Sequence, residues 1–261
     1  MMNEQMQNGL SELRQDERLD EVNEHIRLIQ RKNGLTFGSD AFLLSAFCRP
    51  SPRSRAADFG CGTGIIALLL AARNTYAHIT GVEAQPQFAE LARRNVDLNG
   101  FSHTVSVLSK DVRELSPADF GGELDCIVSN PPYMRADSGY ASPYGEKQIA
   151  RHEILGGIDD FAAAAARCLK YGGKFYTVYR PDRMDSLFAA LRAHKLSPKR
   201  MVFVHDHADK EPSMVLTEST LGAAEGLSVL PPLILHEKSA NGIEKSLSER
   251  AQKIYDTGRF D

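Results

Sequence analysis

Two short stretches of this chain hold residues whose types and spacing could do chemistry. The first runs Asp58-Phe59-Gly60-Cys61-Gly62-Thr63-Gly64. Glycines at alternate positions let a backbone turn sharply and approach a ligand that a Cβ would exclude. The dinucleotide fingerprint is G-x-G-x-x-G, whereas Ile65 stands here where the third glycine is due and Gly64 comes one residue early. That departure counts against NAD and its pyrophosphate. It suits a ligand without a phosphate, lying against the loop. The second stretch is Ser129-Asn130-Pro131-Pro132-Tyr133. Consecutive prolines remove two backbone donors and fix φ, which makes a rigid loop, and an aromatic ring follows at once. The Asn130 side-chain oxygen and the Pro131 carbonyl can both accept N–H hydrogens. At the end of a core strand beside a glycine loop, such a string reads as more than an ordinary turn.

Two acids accompany the glycines. Glu83 closes the apolar run AHITGVE, where a carboxylate can accept both hydroxyls of a ribose, and Asp111 closes TVSVLSKD, where it can meet an adenine amino group. Taken singly, each acid reads as a helix cap or a solvated loop residue. At successive strand ends after a glycine loop, the three read as one nucleoside site.

Such a site needs a scaffold that delivers several strand ends to one rim. From residue 55 the chain supplies one: RAADFG, AHITGVEA, TVSVLSKD, LDCIVS and KFYTVYR read as buried strands. Between them lie the helical patterns IIALLLAARN, FAELARRNVDLNG (opened by Pro86), and IDDFAAAAARCLKYGG, and Pro181 opens a further helix, DRMDSLFAALRAHK. Apolar strands alternating with helices predict a parallel, doubly wound sheet covered on both faces. RMVFVHD and SMVLTEST lie close together and are expected to pair as an antiparallel edge, giving seven strands in all. Residues 1–54 read as an extension and 55–261 as the main domain. Within the extension, residues 1–20 read as a loosely docked tail, Asn33-Gly34 between HIRLIQ and LTF as a hairpin turn, and Ser39-Asp40 as the cap of a helix AFLLSAF. The stretch from 226 contains Pro231-Pro232, an apolar LILH and a charged helix of open role.

The composition is that of an ordinary globular protein, with a net charge of −3 that argues against coating nucleic acid by bulk charge while leaving room for a local basic face. Cys48, Cys61, Cys126 and Cys168 form no CxxC pair, the N-terminus has no apolar signal core, and no run approaches the roughly 18 apolar residues of a membrane span. A cytoplasmic protein with reduced thiols and no membrane association is expected. Oligomeric state is left open.

DFGCGTG, GVEAQP and KDVREL together resemble the nucleoside-binding series of class I S-adenosylmethionine methyltransferases. The resemblance implies a Rossmann-like fold, with S-adenosylmethionine bordered by Asp58, Gly60, Gly62 and Gly64, its ribose held by Glu83 and its adenine met by Asp111. Asn130, Pro131, Pro132 and Tyr133 resemble the N-P-P-Y signature of enzymes that methylate planar amino groups: adenine N6, guanine N2 or glutamine Nδ. A wider similarity runs through GLTFGSDAFLLSAF, NPPYMRADSGYASPYGEKQIARHEI and GKFYTVYRPDR, and it is to the bacterial tRNA(Val) adenine-N6 methyltransferases. It implies that Phe37, Ser39 and Asp40 close over the methionine part, that Asn130 also borders the cofactor, and that tRNA is the partner.

Arg135, Lys147 and Arg151, interleaved with Tyr140 and Tyr144, suit an RNA backbone and unstacked bases. A second set comprises Arg180, Arg183, Arg192, Lys195, Lys199 and Arg200, where solvation of a helix face is the simpler account. His205 and His207, followed by Asp209, lack a third ligand, so no metal is expected. The rival acceptors are a release-factor glutamine and an rRNA guanine. Enzymes of the first kind carry a larger domain before the glycine loop, and about 54 residues are few for one.

Overall fold

The computed structural model describes residues 13–32, 38–132, 156–238 and 245–260. β3 (Ser51–Phe59), β4 (Tyr76–Glu83), β5 (Val105–Ser109), β6 (Leu124–Ser129) and β7 (Leu169–Tyr179) form a parallel sheet in the order β5-β4-β3-β6-β7. Alternation along each strand feeds two cores. Ala56, Cys126, Val128, Tyr176 and Val178 face one side, while Ala57, Phe59, Ile127 and Phe175 face the other. The first face is covered by α1 (Ser39–Phe47), α2 (Ile65–Ala72) and α3 (Pro86–Leu98), the second by α4 (Ile158–Cys168) and α5 (Met184–Ala193). All four cysteines are buried and free.

The antiparallel edge is present and has a particular form. β8 (Leu196–His205) runs on the outside and β9 (Pro212–Leu221) turns back into the gap, antiparallel to both β7 and β8. Pro198 lies inside β8, where a proline would break a ladder, but the register shifts between Pro198 and Arg200. That irregularity is where a strand tolerates a residue without N–H. The stretch from 226 completes the core. β10 (Ser228–Val229) and β11 (Leu233–Ile234) pair in parallel along the edge of β8 away from β9, β12 (His236–Lys238) pairs with β13 (Lys245–Leu247), and α6 (Glu249–Thr257) lies on α1. Phe42 meets Tyr255 at 5.6 Å between ring centroids, and Phe47 meets Phe260 edge-on at 5.3 Å.

Two expectations for the extension need correction. Residues 17–20 are not a loose tail: β1 (Glu17–Asn23) pairs with β2 (Ile26–Arg31). The turn is made by Asn23, whose Oδ1 accepts from the His25 and Ile26 amides, both at 2.9 Å. Asn33-Gly34 lies outside the described residues. Glu17 is buried because Arg94 of α3 grips it through two bonds of 2.7 and 2.8 Å, which hold its carboxyl below the usual range. The helix cap is Gly38, without a side-chain bond, so Ser39 and Asp40 sit in the first turn instead. β3 begins at Ser51, within the segment read as extension.

Candidate active site

The order β5-β4-β3-β6-β7 reverses direction between β3 and β6, and a crevice forms beyond the carboxyl ends of strands at such a point. Phe59 pairs with Ser129 there, and the Ser129 hydroxyl donates to the Phe59 carbonyl at 2.8 Å, so the glycine loop and Asn130 leave the sheet side by side.

The loop is held from behind. The amides of Gly60 and Cys61 both donate to the Val82 carbonyl at 2.9 Å, and the Gly62 amide donates to Glu83 Oε2 at 3.0 Å. The left-handed backbone at Gly60, Gly62 and Gly64 (φ +73°, +55° and +89°) requires glycine. Their surroundings differ. A Cβ on Gly60 would stand 3.3 Å from the Phe161 ring and one on Gly64 would stand 3.4 Å from Ala92, but one on Gly62 would meet nothing within 4 Å. Gly62 is the open side. Cys61 points inward against Gly81, where it packs.

Glu83 is 5% exposed, and its Oε1 takes the Gln85 amide at 2.9 Å. Burial pushes its pKa up, against the pull of those backbone amides. Each oxygen thus uses one lone pair on the chain and keeps another to offer a diol. Asp58 differs: it is wholly buried, and neither oxygen has a hydrogen-bond partner among the described residues. Burial pushes its pKa up to about 7, and the charge on Glu83 adds to the rise. Asp111 caps the short helix Val112–Glu114 through the Arg113 amide at 2.8 Å, and a side-chain bond with Arg113 holds its carboxyl low. The capping reading is realised at this one of the two strand-end acids.

On the other side of the crevice Asn130 is half-buried and Pro131 buried. The Asn130 side-chain amide donates from Nδ2 to Asp40 Oδ2 at 2.7 Å, across a separation of 90 residues. Asp40 also borders a cavity of about 290 Å³ with Gly38, Ser39, Val178, Tyr179, Arg180 and Met214. Two larger cavities, of about 450 and 660 Å³, lie at the opposite ends of the strands, beside Leu196–Pro198 and Pro50–Pro52. Burial raises the Tyr255 phenol, and its ring packs on Phe42, so α6 lies against the first turn of α1.

Phe37, Tyr133, Arg135, Lys147 and Arg151 lie outside the described residues. The second basic set does not form one face. Arg200 is buried against Glu218 and stacks 4.0 Å over Phe47, Arg180 pairs with Asp182, and Lys199 reaches the Ala224 carbonyl. His207 has a different setting from the one expected. Asp206, His207 and His236 come together, the third from β12. The 2.7 Å between Asp206 Oδ1 and His236 Nδ1 is a hydrogen-bond distance. Two donors on one zinc, with bonds of about 2.0–2.1 Å, stand further apart than that. His205 turns away, to the Lys210 carbonyl.

Sequence reasoning missed Asn95 and Asn99, spaced one helical turn apart on α3. Asn95 is wholly buried: it accepts from the Ile29 amide at 2.7 Å and donates to the carbonyls of Ile29 (3.1 Å) and Thr63 (3.0 Å). It ties the glycine loop to β2, while Asn99 makes the matching pair with Arg27. The signal was Asn95 in a helix interior, where an exposed helix gains nothing from an asparagine, with Asn99 one turn on at the helix end.

Residues 31–194 match the family described as the methyltransferase small domain. A tRNA1(Val) (adenine(37)-N6)-methyltransferase of Aliivibrio salmonicida is 34% identical over 211 residues, covering 78% of this chain and 85% of its own. The chain belongs to this family. A tRNA1(Val) (adenine(37)-N6)-methyltransferase of Dyadobacter fermentans is 31% identical, covering 83% of this chain and 89% of its own. A predicted O-methyltransferase from Agrobacterium tumefaciens has the same fold, with a TM-score of 0.67 at 22% identity over 84% of this chain and 97% of that one. TYW2 of Pyrococcus horikoshii, solved in complex with MeSAdo, gives 0.55 at 14% identity over 80% and 73%. As a family member the chain is an S-adenosylmethionine-dependent methyltransferase. Its residues fit that cofactor: an orphaned buried carboxylate at Asp58 suits a cationic group, Gly62 leaves open space for a close approach, and Glu83 has acceptor capacity for a ribose. No helix among the described residues is long and apolar enough to cross a membrane.

Proposed function

We propose that this methyltransferase modifies N6 of an adenine in tRNA, at the nucleotide just 3′ of the anticodon of a valine tRNA. The observation that carries the reading is Asn130 at the switch point beside the glycine loop, with its side chain fixed from behind. Bound S-adenosylmethionine supplies an electrophilic methyl on a sulfonium, so the cofactor brings the hard chemistry. Asp58, Gly60, Gly62 and Gly64 flank it, Glu83 accepts from the ribose and Asp111 from the adenine, with Phe37, Ser39 and Asp40 closing its methionine end. The chain's remaining task is to present a nitrogen whose lone pair is delocalised into a ring. Asn130 Oδ1 and the Pro131 carbonyl each accept one of its N–H bonds, which draws the nitrogen toward a pyramid. Pro132 stiffens the loop and Tyr133 stacks on the base. The spare proton leaves to water after transfer, and no base is needed first.

The adenine must leave its stack to reach this rim, which favours an unpaired loop nucleotide. The cavity beside Asp40, with Arg180 on its wall, offers room for an extruded base and a charge for its phosphate. Arg135, Lys147 and Arg151 extend that contact along the RNA, in a cytoplasmic enzyme acting on free tRNA. Reversing charge at Arg135 or Arg151 flattens the salt dependence of tRNA binding, and an unchanged slope removes those residues from the interface.

The decisive experiment is methyl transfer from labelled S-adenosylmethionine to total tRNA, ribosomal RNA and release factor in parallel. N6-methyladenosine in tRNA is expected. Label in glutamine or in N2-methylguanosine would overturn the choice of acceptor. Asn130→Ala should cut kcat about 100- to 1,000-fold, as for loss of a group that meets developing charge.

A further inference from the structure

We propose that Asp40 decides which way the Asn130 side-chain amide faces, and is therefore a positioning residue for transfer. This rests on the reading of Asn130 as the group that holds the acceptor amine. The two ends of an asparagine amide have nearly the same shape and opposite hydrogen-bonding character. In one orientation Asn130 offers the incoming amine a carbonyl oxygen. Flipped, it offers an NH2, which sets donor against donor and repels the group it should hold.

A rigid Asn-Pro-Pro backbone cannot choose between these orientations, because both fit it. A carboxylate can, since it only accepts. Nδ2 of Asn130 stands 2.7 Å from Asp40 Oδ2, so the NH2 end is fixed toward Asp40 and Oδ1 is turned away from it. The carboxylate is itself held. Its other oxygen takes the Ala41 amide at 2.9 Å, and a Cβ on Gly38 would stand 2.9 Å from that oxygen and push it aside. Asp40 also lines the rim cavity together with Val178 and Tyr179 of β7, so one carboxylate touches both that cavity and the Asn130 side chain. Gly38, Asp40 and Asn130 thus form a relay in which backbone space holds a carboxylate and the carboxylate holds an amide.

Two measurements test this. The first is a cycle of Asp40→Ala, Asn130→Ala and the double variant, read as kcat on tRNA together with calorimetric affinity for S-adenosylmethionine. Asp40→Ala is expected to lower kcat roughly 10- to 100-fold, less than loss of Asn130 itself. Cofactor affinity should fall by less than kcat does, since Asp40 also closes the methionine end, and the double variant should be no slower than Asn130→Ala, because residues acting as a unit do not add. Additive losses, or a loss confined to cofactor affinity, would mean that Asp40 works on the cofactor alone and would overturn the proposal. If Asp40→Ala does not fold, Asp40→Asn keeps the volume and loses the acceptor-only character, and it carries the same test.

The second measurement needs no turnover. The side-chain 15N amide signal of Asn130, assigned by its disappearance in Asn130→Ala, should shift in Asp40→Asn and stay in place in Ser39→Ala. An unmoved signal in Asp40→Asn overturns the inference even if the enzyme methylates tRNA. Should the wild-type chain methylate none of the acceptors, the functional reading fails while this signal still decides the Asp40–Asn130 pairing.

Discussion

The two sides of the crevice are built in different ways. The proposed cofactor side is local: Asp58, the glycine loop, Glu83 and Asp111 fall within one run of alternating strands and helices, each at the end of the next strand over. The acceptor side is gathered from afar. Asp40 comes from the first turn of α1, Asn130 from the end of β6, and Tyr255 from α6 near the other end of the chain. A site for one invariant small molecule can be written as a compact motif. A site that must orient one amine among many is here assembled by tertiary contacts, and its parts carry little meaning separately.

That contrast can be broken at the point where the two kinds of construction touch. Asn95 joins the glycine loop to β2, so the local half is not wholly local. Asn95→Ala strands a buried amide and two carbonyls and should cost about 3 kcal/mol of stability, with weaker cofactor binding, in denaturant unfolding and calorimetry. An unchanged melting curve would show the β1–β2 hairpin merely resting on the domain.

Asp58 sharpens the electrostatic part. Its pKa is about 7 folded, against 3.8 for the free group. A carboxyl raised on folding stabilises most at low pH, where both states hold the proton. As pH climbs from about 4 to about 7 the unfolded chain releases a proton that the folded chain keeps, so that contribution drains away at about 1.4 kcal/mol per unit. Melting of Asp58→Asn should therefore depend less on pH than wild type across that window. Parallel curves would mean that the carboxyl is already ionised.

A matched pair tests whether Gly62 faces ligand. Gly62 and Gly100 both have positive φ (+55° and +71°) and both have open space where a Cβ would go. Either change to alanine should cost about 1 kcal/mol of stability from the left-handed backbone. Only Gly62→Ala should also weaken S-adenosylmethionine binding, and equal affinities in the two variants would move the cofactor elsewhere. The smallest effect is expected at Tyr255→Leu, which removes the ring packed 5.6 Å from Phe42 and should cost about 0.5 kcal/mol. Its loss should appear in kcat more than in cofactor affinity, and the reverse split would assign α6 to the cofactor side.

What could be read from the residues follows the same division. Parallel strands buried on both faces appear as continuous apolar runs, so β3 to β7 and the helices between them were legible, and with them the strand-end acids. β1 was not, because its acidic, half-exposed residues look like a tail until Arg94 is placed beside Glu17. The Asn23 turn was overlooked beside the stronger Asn-Gly signal. The insertion of β9 between β7 and β8 depends on which edge is open, and the Asp40–Asn130 bond on a fold already formed. No window of sequence contains either.

The grip of α6 on the first turn of α1 has a consequence in time. A ribosome that has just finished the Asn130 loop has made both halves of the crevice, yet Tyr255 is still more than a hundred codons away. Until that helix leaves the exit tunnel and docks, Phe42 on the first turn of α1 lacks the ring that packs on it.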